Sequence, residues 1–137
     1  MTTSNRGDYV SKSRSSSSKK LDALPPDIEQ ALRAFVLEVT SADRLEPWEL
    51  IRYNVGQYFS RHVDGKDRTH SVVVYLNDVP AGGETAFPVL GRVVKPELGK
   101  AVIWDNQLGS RQSKELVHES RPVLDGQKWV LVSWVRA

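Results

Sequence analysis

Cysteine is absent from this chain of 137 residues. That absence excludes a disulfide-stapled fold, a Cys-ligated zinc finger, an iron–sulfur site and a thiol nucleophile. Long apolar runs are missing too. No stretch approaches the ~18 residues that a transmembrane helix needs, so no membrane partner is expected. The opening MTTSNRGDYVSKSRSSSS contains no apolar stretch of the kind a secretory signal requires, and a cytoplasmic location is the expectation. Alternation of strand-like with helix-like segments is also lacking, which argues against a doubly wound parallel sheet.

Charge of one sign is concentrated at one end. Residues 1–20 hold five bases (Arg6, Lys12, Arg14, Lys19, Lys20) against Asp8, whereas the rest of the chain carries a net −2. The pI near 9.0 therefore comes from the start of the chain. Basic, serine-rich residues can touch phosphates, but no patch of interleaved aromatic and basic residues backs them. Nucleic acid is not expected as a partner. Residues 1–20 read as a solvated arm or as a rough strand along a sheet edge. Residues 21–137 read as one domain with its core at 48–137.

What is present is one helix signal followed by many short strands. Pro25 and Pro26 stand at a helix entrance, with Asp27 and Glu29 suited to its positive first turn. Ile28, Ala31, Leu32, Phe35, Val36 and Val39 recur at helical spacing and predict an amphipathic helix over 26–40 that covers one sheet face. From Trp48 onward the pattern is β: ELIRYNVGQYFSRHVD with a break at Gly56, HSVVVYLND, then GRVVKP, GKAVIWDN, SKELVHES and KWVLVSWVR. Gly82 and Gly83 read as a turn needing positive φ. The expectation is a mainly β sandwich or barrel with one packing helix.

Three histidines limit the chemistry. In an extended strand residues i and i+2 share a face, so His62 and Asp64 project together while Val63 turns away. His118 is the candidate third ligand. Two histidines and one carboxylate make up the facial ligand set of non-haem Fe(II) oxygenases. The same short pattern also describes a surface hydrogen-bonded pair, and zinc stays open on spacing alone. Lys128 begins the last strand on the face it shares with Val130, Val132 and Trp134. It either snorkels outward from the strand end or places a point charge at the bottom of a pocket for a small carboxylic acid. His70 reads as structural, Trp104 and Phe87 as core. Asp105 and Asn106 end a strand from which the site could be reached.

Four blocks carry more information together: RYNVGQYFSRHVD, RTHSVVVYLNDVPAGGETAFP, VKPELGKAVIWDN and LVHESRPVLDGQKWVLVSWVR. In order and spacing this set resembles the prolyl 4-hydroxylase group of 2-oxoglutarate- and Fe(II)-dependent dioxygenases. The resemblance implies a double-stranded β-helix, or jelly-roll, with one main packing helix. It implies that His62, Asp64 and His118 are the catalytic iron ligands and that Lys128 pairs with the distal carboxylate of 2-oxoglutarate. Tyr75 and Thr85 match positions at that same end of the co-substrate, Tyr53 an aromatic hydroxyl near it, and Trp134 a tryptophan at the mouth of the site. Arg68 matches a substrate-contacting arginine. The implied reaction hydroxylates peptidyl proline and couples this to decarboxylation of 2-oxoglutarate to succinate and CO2. O2 is the second co-substrate, ascorbate the reductant, and a proline-containing peptide or protein the partner. Free proline, lysyl residues or another small substrate are the alternatives within the class, and a non-enzymatic jelly-roll binding module is the alternative outside it. Phe59 stands where relatives often carry tyrosine.

Overall fold

The computed structural model describes residues 14–40, 44–65, 67–108 and 111–136. The elements in order are β1 (Ser17–Lys20), α1 (Pro26–Leu37), β2 (Glu49–Tyr53), β3 (Phe59–His62), β4 (Arg68–Tyr75), β5 (Ala81–Gly82), β6 (Thr85–Phe87), β7 (Arg92–Val94), β8 (Ala101–Asp105), β9 (Gln107–Leu108), β10 (Arg111–Gln112), a 3-10 turn (Lys114–Leu116), β11 (His118–Ser120), β12 (Val123–Asp125) and β13 (Lys128–Arg136). A major sheet has the order β1-β2-β13-β4-β8 and a minor sheet the order β3-β11-β6-β7. Their pairings are antiparallel. This is the expected mainly β jelly-roll with one helix.

Strand parity divides the interior into two cores. On β13, Leu131 and Val135 turn to one side and join Val36 of α1, Trp48, Val72 and Val74. Val130 and Val132 turn to the other and join Ile51, Tyr53, Tyr75 and Val123, with Phe59 and Val94 from the minor sheet packed against them. The first core glues α1 to the outer face of the major sheet. The second fills the space between the sheets, where the functional groups also lie. Burying such side chains stabilises the fold by roughly 1.5–3 kcal/mol each.

The helix is shorter than its apolar spacing predicts. It ends at Leu37, Glu38 caps it, and Thr40 Oγ1 donates to the Val36 carbonyl. Val39 is exposed and lies beyond α1. Two β-branched residues at 39 and 40, one with a hydroxyl that bonds the preceding turn, favour termination. SKELVHES also departs from a simple strand. Ser113 accepts from the Glu115 amide and caps the 3-10 turn, so only His118–Ser120 is extended. The serine- and lysine-rich Ser17–Lys20 is an edge strand paired with Glu49–Arg52. Arg14 bridges to Phe59 of β3, so this short segment touches both sheets. Residues 1–13, the remainder of the basic segment, lie outside the described residues. Among the described residues no helix is long and apolar enough to cross a membrane.

Candidate active site

His62 ends β3 and His118 begins β11, and the two are register partners. Antiparallel pairing sets their rings 4.3 Å apart, centroid to centroid. Asp64 lies two residues past the end of β3 rather than on the strand itself. Its Oδ1 nevertheless sits 3.4 Å from His62 Nε2 and 3.5 Å from His118 Nε2. One ligating atom from each residue falls within 4.8 Å of the other two. The sequence expectation that these three converge is met by the geometry, although a loop, not strand parity, places the carboxylate.

The proton positions make this cluster fit a cation. His62 Nδ1 lies 2.7 Å from the Ser60 carbonyl and His118 Nδ1 lies 3.0 Å from the Leu116 carbonyl. A carbonyl only accepts, so each Nδ1 carries a proton and each ring turns its Nε2 inward toward Asp64. Burial pushes the Asp64 carboxyl up, but bonds to His118, His62 and Ser71 outweigh it and hold the group well below the usual carboxylate range. An anionic oxygen facing two imidazole Nε2 atoms is a place for positive charge, supplied by protons or by a metal. Carbonyl-anchored imidazoles are a common way to orient metal-binding histidines. Phe59 stacks on His62 at 3.9 Å, and Trp104 meets the His118 ring at 4.8 Å.

Lys128 is 2% exposed, which excludes snorkelling. Its Nζ donates to the Gly83 carbonyl at 2.8 Å and to Ser120 Oγ, and it lies 4.4 Å from the centre of the Tyr53 ring. Burial lowers its pKa to about 7, with the Glu84 charge acting in the opposite sense. Gly83 has φ +75, and a Cβ there would stand 3.2 Å from Lys128 Cδ. The positive φ favours glycine, and any Cβ there would also press on the lysine stem. Tyr53 is buried and its phenol is pushed up by burial.

A cavity of about 300 Å³ runs between these two clusters, lined by His62, Asp64, His118, Thr85, Tyr53 and Lys128. Tyr75 is fully buried behind Thr85, and their hydroxyls lie 2.7 Å apart. Burial pushes the Tyr75 phenol up to about 12, so it is a neutral hydroxyl at ordinary pH. Trp134 and Arg68 line the cavity on the Asp64 side. Trp134 Nε1 donates to Asp64 Oδ2 at 3.2 Å. The Arg68 guanidinium stacks 3.7 Å over the Trp134 ring and makes two bonds, 2.8 and 2.9 Å, to Glu46.

Sequence reasoning left Trp104, Ser71 and Ser120 aside, whereas Asn106 was expected within reach of the site. Trp104, expected as plain core, lines the cavity. Asn106, reached from the end of β8, donates to Ser71, which bonds Asp64. Ser120 contacts Lys128. A signal for Ser71 was available: it is the polar member of the inward set Ser71, Val73, Tyr75 on β4. His70 is half-buried beside Asp105, outside the cluster.

Between its sheets this jelly-roll gathers two histidines and an aspartate at one end of a partly open cavity and a buried lysine at the other, the donor set of a non-haem metal centre beside a site for a small acid. A sequence profile of the 2OG-Fe(II) oxygenase superfamily matches residues 48–136. The chain belongs to that superfamily. Human prolyl 4-hydroxylase subunit alpha-1 is 34% identical over 114 residues, covering 72% of this chain and 21% of the relative. A putative prolyl 4-hydroxylase of Acanthamoeba polyphaga mimivirus is 28% identical over 137 residues, covering 87% and 55%. The viral collagen prolyl hydroxylase of Paramecium bursaria Chlorella virus-1, solved with 2-oxoglutarate, superposes with a TM-score of 0.79 at 28% identity, covering 92% of this chain and 81% of that one. The chain thus spans between about a fifth and a half of the length of these two curated relatives. Fe(II) and 2-oxoglutarate are the metal and co-substrate of the superfamily, and the His62, Asp64 and His118 donor set fits the metal.

Proposed function

We propose that this chain hydroxylates prolyl residues of a peptide or protein, coupled to conversion of 2-oxoglutarate to succinate and CO2. One observation carries the reading. The three-residue cluster and the buried Lys128 face a single cavity of about 300 Å³. That volume is at the low end for ligand pockets and suits a small diacid plus one side chain. Likeness to prolyl hydroxylases supports proline as the residue hydroxylated.

In this reading His62, Asp64 and His118 hold Fe(II). When bound, the metal with 2-oxoglutarate and O2 supplies the oxidising chemistry that places a hydroxyl on the substrate. The remaining work belongs to the chain. Lys128 holds the distal carboxylate of the co-substrate by a charge-assisted bond in a dry pocket. Thr85, backed by Tyr75, adds a neutral donor at the same end, and Tyr53 walls the lysine. Phe59 and Trp104 exclude water around the imidazoles. Trp134 and the stacked Arg68 form the rim where substrate enters. Ascorbate serves as reductant after turnovers that lack substrate.

The test measures succinate release from 2-oxoglutarate by protein loaded anaerobically with Fe(II) and then given O2, with and without a proline-rich peptide. Peptide-stimulated turnover, a +16 mass shift on proline, and loss of both in His62→Ala are expected. Turnover without any peptide effect, or a shift on free proline or lysine, would replace the substrate. Absence of turnover together with absence of Fe(II) binding would leave a non-enzymatic module.

A further inference from the structure

The two oxygens of Asp64 live in different surroundings. Oδ1 faces both imidazoles. Oδ2 receives the Ser71 hydroxyl and, at 3.2 Å, the Trp134 indole N–H. Behind Ser71 the bonds continue. Asn106 Nδ2 donates to Ser71 Oγ at 2.8 Å, and Trp104 Nε1 donates to Asn106 Oδ1 at 2.8 Å. Ser71 is 1% exposed and Asn106 2% exposed.

This chain has a single polarity. An indole N–H only donates, so the Asn106 oxygen turns to Trp104 and its amide nitrogen to Ser71. The Ser71 lone pair is thereby engaged and its one proton points at Asp64. Asn106 Nδ2 also reaches the Arg68 carbonyl at 3.3 Å, which ties the amide to the start of β4. Each donor is matched to an acceptor, and reversing any one of them breaks the sequence.

We infer that Ser71 and Asn106 are positioning residues that commit Asp64 Oδ2 to the protein and leave Oδ1 as the single oxygen this carboxylate offers a metal. The inference rests on the reading that His62, Asp64 and His118 hold Fe(II). A carboxylate with both oxygens available can take two coordination positions, whereas one with Oδ2 fixed takes one. The positions so preserved are those that a chelating co-substrate and O2 both need. Two polar side chains buried on a strand and just past its neighbour's end thereby gain a function that packing does not account for.

The test is anaerobic titration of the metal-free protein with Co(II), read by calorimetry and by the visible absorption band of the bound ion. Ser71→Ala and Asn106→Asp are compared with wild type, Asp64→Ala and Ser71→Thr, with the unfolding temperature of each metal-free protein measured alongside. Asn106→Asp keeps the shape of the side chain and the acceptor for Trp104, but it withdraws the Ser71 proton from Asp64. Ser71→Ala and Asn106→Asp are each expected to weaken Co(II) binding by about 10–100-fold and to change the absorption band, with Ser71→Thr restoring both. Wild-type affinity and band in Ser71→Ala and Asn106→Asp, with binding lost in Asp64→Ala, overturns the positioning role and leaves the metal reading standing. Failure of the wild type to bind Co(II) overturns both. If Ser71→Ala does not fold, Asn106→Asp decides alone.

Discussion

Tyr53 and Lys128 are register partners across β2 and β13, and the Lys128 ammonium lies 4.4 Å from the centre of the Tyr53 ring. An aromatic face, the Gly83 carbonyl and the Ser120 hydroxyl are neutral partners. They soften the cost of burying the charge without cancelling it, and the lysine pKa is accordingly lowered to about 7. The pocket is short of one anion.

Two pH effects follow from that shortage. Binding a dicarboxylate favours the protonated lysine, so affinity for 2-oxoglutarate should fall as pH rises above about 7. Binding near that pH should take up a proton, visible as a buffer-dependent heat in calorimetry. For folding the sign is opposite to that of a paired lysine. Between about 7 and 10.5 the unfolded chain binds more protons than the folded one, so the lysine's contribution makes stability rise with pH across that window. Lys128→Met should remove both effects and raise the KM for 2-oxoglutarate roughly 10–100-fold, the loss expected for one charged hydrogen bond. An unchanged KM would place the co-substrate elsewhere.

Removal of metal should abolish turnover, with Fe(II) restoring it in the wild type but not in Asp64→Ala or His118→Ala. Circular dichroism of the metal-free variants should remain that of a β protein, because neither side chain belongs to the two apolar cores. Recovery of activity in Asp64→Ala on addition of Fe(II) would contradict its role as a ligand.

The buried Tyr75–Thr85 hydroxyl pair predicts an asymmetry. Thr85→Val leaves the Tyr75 hydroxyl without its partner, a cost of about 1–3 kcal/mol. Removing both hydroxyls, in Tyr75→Phe with Thr85→Val, should recover part of that stability while keeping the weakened co-substrate binding. Denaturant unfolding and the KM for 2-oxoglutarate separate the two effects.

Glu46 is the anchor of the rim. Burial raises its pKa, but bonds and charge from Arg68 and Arg136 dominate and hold it below its ordinary 4.5. Its stabilising contribution is present above that value and is lost as pH falls through the lower folded-state value. Glu46→Gln should therefore flatten the acid limb of the stability curve. It should also loosen Arg68 over Trp134, raising the KM for the peptide more than that for 2-oxoglutarate. Equal changes in both would argue against a rim role.

Much of the fold and the site is legible in the residues themselves. Alternation along Lys128–Arg136 separates Leu131 and Val135 from Lys128, Val130, Val132 and Trp134 because a strand has a period of two, and the two cores follow that division. Gly82 and Gly83 have φ of +79 and +75, as a turn before Thr85 requires. Helix length was less legible, since apolar spacing ran on to Val39 while the hydroxyl of Thr40 bonded the preceding turn at Val36. The edge strand Ser17–Lys20 was ambiguous because an outermost polar strand has the composition of a loop.

By itself the sequence determined the residue types: two histidines, an aspartate and a lysine in blocks that resemble one family, on strands of readable parity. Tertiary structure alone decided which atoms meet. Pairing of β3 with β11 turned His62 and His118, 56 positions apart in the chain, into neighbours. Closure of the sheets sealed Lys128 from water and shifted its pKa, while the reach of Asn106 to Ser71 set the direction of the bonds on Asp64. Hydrogen bonds and desolvation act over a few ångströms of space, and distance along the chain carries no record of them until the strands have paired.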